Sequence, residues 1–267
     1  MFFDIEVEVT EGFPDVQKAY NPITSIALYD CIAEKYFTYC FDPHKRIESY
    51  EKGEEVVEFY ETEYEMLNKF FQKYLEIRPT IISGWNSEFF DIPYLYNRAV
   101  RVLGPEIANL LSPISQVIYS DYKKKHTIAG VSSLDYLQLY RQFTFTQQSS
   151  YRLDYIGQIE VDMGKVEYEG TLDQLLENDI DKFIEYNLVD VEIVVELDEK
   201  LQFIDLCRGI CHAGHVPYED FVYSSKYLEG AMLTYLRRRN LVAPNKPADR
   251  QERMPVSYTH LTLPTKA

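Results

Sequence analysis

Cysteine is scarce: Cys31, Cys40, Cys207 and Cys211 are all that 267 residues contain. Four thiols in a chain of this length do not make a disulfide framework, so the sequence predicts reduced cysteines and no disulfides. Long apolar runs are missing too. No window approaches the roughly 18 consecutive apolar residues of a membrane span, which predicts a chain that does not cross a bilayer. The opening MFFDIEVEVT carries acids at positions 4, 6 and 8 and no basic cluster, unlike a secretory or mitochondrial leader, and the expected location is intracellular. Basic residues are outnumbered 27 to 43, for a formal net charge of -16. That sign excludes broad electrostatic capture of a polyanion, so any contact with nucleic acid has to be local. Two patches could supply one, Lys123, Lys124 and Lys125 with His126, and Arg237, Arg238 and Arg239; solvated faces explain either patch equally well. There is no internal repeat, no GxGxxG and no P-loop.

What is present is the composition of a globular protein, 46% hydrophobic and 26% charged, in a length that fits one large domain or one and a half. The 23 Tyr and 15 Phe can stack on unpaired bases, although such rings pack cores far more often. Phe3, Ile5, Val7 and Val9 alternate with Asp4, Glu6 and Glu8, which reads as a half-buried strand. Residues 22 to 31 and 36 to 41, rich in β-branched and aromatic side chains, read as a hairpin. Thr62 with Glu65 then forms a capping-box signal for a helix that stops before Pro79. The short apolar run TIISGW predicts a buried strand with a parallel partner. A helix from Ile92 with Pro93 in its first turn, a hairpin over 114 to 131 and a strand running into a helix at SSLDYLQLYRQF follow. Residues 157 to 200 hold 14 acids and 3 bases but keep an apolar stripe from Ile180 to Val195, which predicts one long amphipathic helix. A further helix is expected around 224 to 240. The order β, β, β, α, β, α, then helices places the chain in the α/β class.

Three acidic sites fall at chemically sensible places. Asp4 and Glu6, two apart on a strand, share a face. Asp91 follows the buried strand within GWNSEFFD, at the carboxyl end where open α/β sheets carry their chemistry. Tyr186 and Asp190 stand at i and i+4 on one helix face. Each has a bland alternative taken alone: a solvated strand face, a helix cap, a surface pair. If they converge, the acids repel one another so strongly that divalent cations must lie between them. Oxygen-only donors favour Mg²⁺ or Mn²⁺, and two such ions form the clamp of phosphodiester hydrolysis. The pattern points to a metal-dependent nuclease.

The motifs FDIE (3 to 6), NSEFFD (86 to 91) and YNLVD (186 to 190) resemble, in order, the three exonuclease motifs of the family B DNA polymerases, of the type with a tyrosine in the third motif. GWNSEFFDIPYLYNR, LDYLQLYRQFTFTQQSSYRLDYIG and YNLVDVEIV resemble the tailed-phage replicative branch, and the resemblance spans about residues 2 to 245. It implies a ribonuclease H-like 3′–5′ exonuclease fold, a mixed sheet flanked by helices, with extra C-terminal helices. It also implies that Asp4, Glu6 and Asp190 ligate the tighter of two Mg²⁺ or Mn²⁺ ions, that Asp4 and Asp91 hold the second, and that Tyr186 orients or deprotonates the attacking water. The implied reaction is removal of one deoxynucleotide at a time from a single-stranded DNA 3′ end. Asn86 and Phe90 would contact the terminal nucleotides, and the hairpin bearing Lys123, Lys124 and Lys125 lies where phage relatives carry a strand-parting loop.

The family's SLYPS-like and DTDS-like polymerase motifs do not occur, so DNA synthesis is not expected; the palm, fingers and thumb would be partners missing from this chain. The implied division is an exonuclease domain over 1–205, a helical lead-in to the palm over 206–245, and a disordered tail over 246–267. That tail ends in PVSYTHLTLPTKA, which resembles translated adapter read-through and is set aside from fold reasoning. A phage origin would place the chain in the cytoplasm of a bacterial host. Competing readings are a zinc site from Cys207, Cys211, His212 and His215, a ribonuclease of the same fold, and an inert or merely DNA-binding fragment.

Overall fold

The computed structural model describes residues 1–9, 12–121 and 125–244. Alternation in the opening residues produces β1 (Phe2–Val7), whose Phe3, Ile5 and Val7 enter the main core while Asp4 and Glu6 leave from the opposite face. β2 (Ile23–Asp30) pairs antiparallel with β1, setting Asp4 opposite Ala27 and Glu6 opposite Ser25. β3 (Lys35–Phe41) completes the expected hairpin. Two strands that the sequence pattern did not announce follow. β4 (Tyr50–Lys52) pairs antiparallel with β5 (Glu55–Tyr60), and β5 runs parallel to β3, giving a mixed five-stranded sheet of order β1-β2-β3-β5-β4. Of β5's side chains only Val57 is buried, so the strand lacks the alternation that marks one face.

Helix α1 (Glu63–Ile77) starts at the expected cap, the Thr62 hydroxyl accepting from the Glu65 N–H at 3.2 Å, and ends at the left-handed Arg78 before Pro79. β6 (Ile81–Ile82) is the predicted buried strand. It pairs parallel with β9 (Ser132–Ser133), and Ser83 bridges in parallel to Phe2. The Phe3 N–H donates to the Ser83 carbonyl at 3.0 Å, so β1 is held on both sides. This close approach requires Gly84: a Cβ there would lie 2.5 Å from the Phe3 carbonyl oxygen.

The helices α2 (Asp91–Val102), α3 (Pro105–Ala108) and α4 (Tyr136–Phe143) flank the hairpin of β7 (Val117–Ser120) and β8 (Lys125–Ile128). Lys123 and Lys124, which the sequence pattern assigns to this hairpin, lie outside the described residues.

The stretch 157–200 is not one helix. It divides into α5 (Leu153–Val161), α6 (Leu172–Asn178) and α7 (Ile180–Leu201). The breaks have local causes: Asp162 closes α5 in the left-handed region, Gly170 has φ +89, Thr171 and Gln174 form a capping box, and Asp179 caps α7 through the Lys182 N–H. α8 (Phe203–Gly214) and α9 (Ser224–Arg238) follow. Helices α1 and α2 pack on one face of the sheet, through Leu67, Phe70, Phe71 and Tyr94. On the other face α4, α5, α7 and α8 share a core that includes Tyr136, Ile156, Val194 and Cys207. The result is the mixed α/β, ribonuclease H-like arrangement expected. Among the described residues no helix is long and apolar enough to cross a membrane, and all four cysteines are free.

Candidate active site

α7 lies across the face of the sheet that Asp4 and Glu6 share. Its inward stripe is apolar at Phe183, Ile184, Val191 and Val194 but interrupted by Tyr186, Asn187 and Asp190, all buried. One carboxylate oxygen each from Asp4, Glu6 and Asp190 lies within 4.8 Å of the others. Asp91 opens α2, and its Oδ1 accepts from the Ile5 N–H, between Asp4 and Glu6, at 3.2 Å. Residues 4, 6, 91 and 190 are thus assembled by a strand, the start of one helix and the middle of another.

Burial, then repulsion from Asp91, Glu6 and Asp190, pushes the Asp4 carboxyl well above the usual carboxylate range. Burial and Asp190 push Glu6 up to about 8. Burial raises Asp91 to about 7, the Ile5 N–H working against it. Asp190 is raised by burial and restrained by Lys165. Its Oδ1 is buried with no hydrogen-bond partner among the described residues, an acceptor left open.

Three residues of the site were not singled out from the sequence. Lys165, in the break between α5 and α6, donates from Nζ to the Tyr186 hydroxyl oxygen at 2.8 Å and to Asp190 Oδ2. Its ammonium faces Asp190, and Asp190 with Tyr186 raises its pKa against the effect of burial. Asn187, fully buried, donates to Asp4 Oδ2 at 2.9 Å and accepts from the Ser25 hydroxyl at 2.7 Å. Asp135 accepts from the backbone N–H groups of Asn86 (3.0 Å), Glu88 (3.3 Å) and Leu137 (3.0 Å), clamping the NSEFFD loop to the start of α4. Only Asp135 had a legible signal, as an N-cap before YLQLY. Tyr186, its pKa raised by burial and Asp190, keeps its proton at neutral pH, and the Tyr168 ring meets it edge-on at 5.3 Å.

Around this centre, Phe90 packs against Phe13 (5.2 Å) and Tyr94 (5.5 Å), while Asn86 is exposed and left-handed at φ 65. Lys125 does not reach the acids; it is engaged by Glu88. The cysteine–histidine cluster forms no metal site among the described residues: Cys207 and Cys211 are buried, each Sγ donating to the Tyr218 carbonyl at 3.7 Å, while His212 and His215 are exposed.

The sequence profile of the DNA polymerase family B exonuclease domain matches residues 1–156, which include Asp4, Glu6 and Asp91. The chain belongs to this family. The family B exonuclease chain is 31% identical to the DNA-directed DNA polymerase of Escherichia phage RB69 over 293 residues, covering 99% of this chain and 32% of that protein. It is 30% identical to that of Enterobacteria phage T4, over 95% of this chain and 31% of the relative. DNA polymerase 1 of Saccharolobus solfataricus is 30% identical over 73% of this chain and 22% of its own length. The chain therefore spans about a third of the length of the phage relatives, and Tyr186 and Asp190 lie in the part shared with them beyond the profile match. The enzyme class read from the sequence, a hydrolytic 3′–5′ exonuclease, is that of the family. Exonuclease domains of this family use divalent metals, and the residues here fit such ions: an all-oxygen donor set, mutual repulsion to be neutralised and one open buried acceptor.

Proposed function

We propose that the chain is a two-cation exonuclease that trims single-stranded or mismatched DNA 3′ ends, the proofreading unit of a family B DNA polymerase. The observation that carries this reading is the convergence of Asp4, Glu6 and Asp190 within 4.8 Å, with an Asp190 oxygen that no described residue satisfies. Asp4, Glu6 and Asp190 would hold the tighter Mg²⁺ or Mn²⁺ and Asp4 with Asp91 the second. Bound there, such cations supply Lewis acidity, which makes water nucleophilic near neutral pH and offsets charge on the phosphodiester.

The protein's own groups do the positioning. Asn187 holds one oxygen of Asp4, and the Ile5 N–H holds one of Asp91. Lys165 fixes the Tyr186 hydroxyl beside Asp190, so a protonated Tyr186 orients the attacking water by hydrogen bonding and does not deprotonate it. Phe90, backed by Phe13 and Tyr94, offers a ring to a terminal base, and Asn86 stands exposed at the same loop. Lys123 and Lys124 keep the DNA-contacting role read from the sequence, whereas the charge of Lys125 is engaged by Glu88.

We assign the exonuclease unit to residues 1–205 and a lead-in to a polymerase palm to 206–245, with palm, fingers and thumb as the partners. A phage parent would act in the cytoplasm of a bacterial host. The test is shortening of a 3′-mismatched DNA primer by the purified chain with and without Mg²⁺. Shortening should require the metal, and replacing both Asp4 and Glu6 by Ala should abolish it while circular dichroism stays native-like. Equal trimming by that variant, or preference for a matched RNA strand, would overturn the proposal.

A further inference from the structure

Beside the loop that carries Asn86 and Asp91 lies a second cleft of about 540 Å³, lined by that loop, by the hairpin strand β8, by β9 and by the turn at 219–223. Neighbouring residues of the loop diverge: Phe90 turns to Phe13 and Tyr94, whereas Phe89 lines the cleft and is 54% exposed. Tyr223 lines it as well, 45% exposed. Two large open rings in one concavity favour a flat apolar occupant.

The charges say what that occupant is not. Lys125 donates to both oxygens of Glu88, at 3.0 and 2.9 Å, so the ammonium in the cleft is already neutralised by a carboxylate. Among the described residues a phosphate would find no surplus positive charge there. The polar atoms say what else it carries. His126 and Ser133, each less than a tenth exposed, line the same cleft, and His126 Nδ1 and Ser133 Oγ are closed off from solvent with no hydrogen-bond partner among the described residues. Burial lowers the His126 pKa and so favours its neutral ring. Buried polar groups without partners are uncommon, and a ligand edge that reaches them on a small shift of the lining side chains removes their cost. A neutral, flat heterocycle with donors and acceptors along its edge matches all three requirements.

We infer that this cleft receives one unstacked nucleobase of the DNA substrate, distinct from the base of the nucleotide being cleaved. The inference rests on the exonuclease reading. The base comes either from the strand being trimmed or from the strand opposite it, and the two are separable by experiment. KM and kcat of the purified chain are compared with those of Phe89→Ala and Tyr223→Ala, two exposed positions, on a single-stranded DNA and on a 3′-mismatched duplex. KM should rise about tenfold in each variant while kcat stays within about twofold. A rise on both substrates assigns the base to the trimmed strand, and a rise on the duplex alone assigns it to the opposite strand. Unchanged KM on both, in a chain that still trims, overturns the inference and leaves the cleft to a segment of polypeptide. A second readout does not depend on cleavage: a fluorescent adenine analogue walked along either strand should be quenched at one position by the unaltered chain and released from quenching by Phe89→Ala. Absence of quenching at every position overturns the cleft assignment even if no trimming occurs, so the two readings fail separately.

Discussion

Lys165 serves two groups with one ammonium: it fixes the Tyr186 hydroxyl and neutralises Asp190. Replacing it with Met keeps the aliphatic stem but frees the phenol to rotate, and circular dichroism should stay native-like. Loss of a positioned group commonly costs about a hundredfold in rate, and kcat of Lys165→Met should fall by about that amount. On the proposed water-orienting role of Tyr186, the Tyr186 half of this loss is incurred once, so adding Tyr186→Phe should cost much less in that background than in the unaltered chain. Additive losses in the double variant would show two independent roles. The same residues explain what the sequence could and could not reveal. The convergence of Asp4, Glu6, Asp91, Tyr186 and Asp190 was legible because acids at a period of two on an apolar strand, after a buried strand and at i and i+4 on a helix are positions with a definite direction. Lys165 was not, because no periodicity surrounds it, and Asn187 was hidden because nothing in its type or spacing separates it from a solvated neighbour of Tyr186.

At the scale of elements, the error over residues 157–200 and the presence of Lys165 have one cause. An apolar stripe reports which face is buried, but it carries no information about where caps interrupt the chain. The αL residue at Asp162, Gly170 and the Thr171 capping box turn residues 163–170 out of helix, and that turn delivers Lys165 and Tyr168 to the acids. The strands β4 and β5 went unseen for a related reason: pairing of β5 with β3 and of β4 with β5 holds them, not a buried face of their own. By contrast α1 was legible end to end, since its cap and its stop are both local. Its first residue also ties three elements together. Glu63 accepts from the Ile23 N–H at 2.8 Å and pairs with Arg98 of α2 at 2.6 and 2.8 Å, nearly out of water. Removing one partner of such a buried pair strands the other, so Glu63→Ala should cost about 3 kcal/mol. In a chain of this size that corresponds to a fall in Tm of roughly 6 to 12 °C, read by calorimetry. A shift below a degree or two would mean that water reaches Arg98 and the pair contributes little.

Over the whole molecule, 43 acids against 27 bases make protons and divalent cations competitors for the same charge. Asp4, Glu6, Asp91 and Asp190 all hold their protons more tightly folded than unfolded, Asp91 to about 7 and Glu6 to about 8. Asp135, raised to about 6, joins them. An acid raised in this way destabilises the folded state once it ionises. The folded chain binds more protons than the unfolded one between about pH 4 and pH 8, and unfolding free energy falls as pH rises through that window. Lys165 is charged throughout the window and does not alter the slope. Asp42, lowered by Arg46, contributes only below it, and His126, lowered by burial, opposes the trend as a single group. With a chelator present, Tm should therefore decline steadily from about pH 5.5 to about pH 8. Mg²⁺ replaces the lost protons, so it should raise Tm most at the alkaline end and flatten the profile. The Asp4→Ala, Glu6→Ala variant, lacking two of the acids, should show a shallower decline and a smaller response to Mg²⁺. A Tm that instead climbs with pH in chelator, or a Mg²⁺ effect equal in that variant, would mean that the acids do not share one buried charge and would remove the physical reason for placing metal among them.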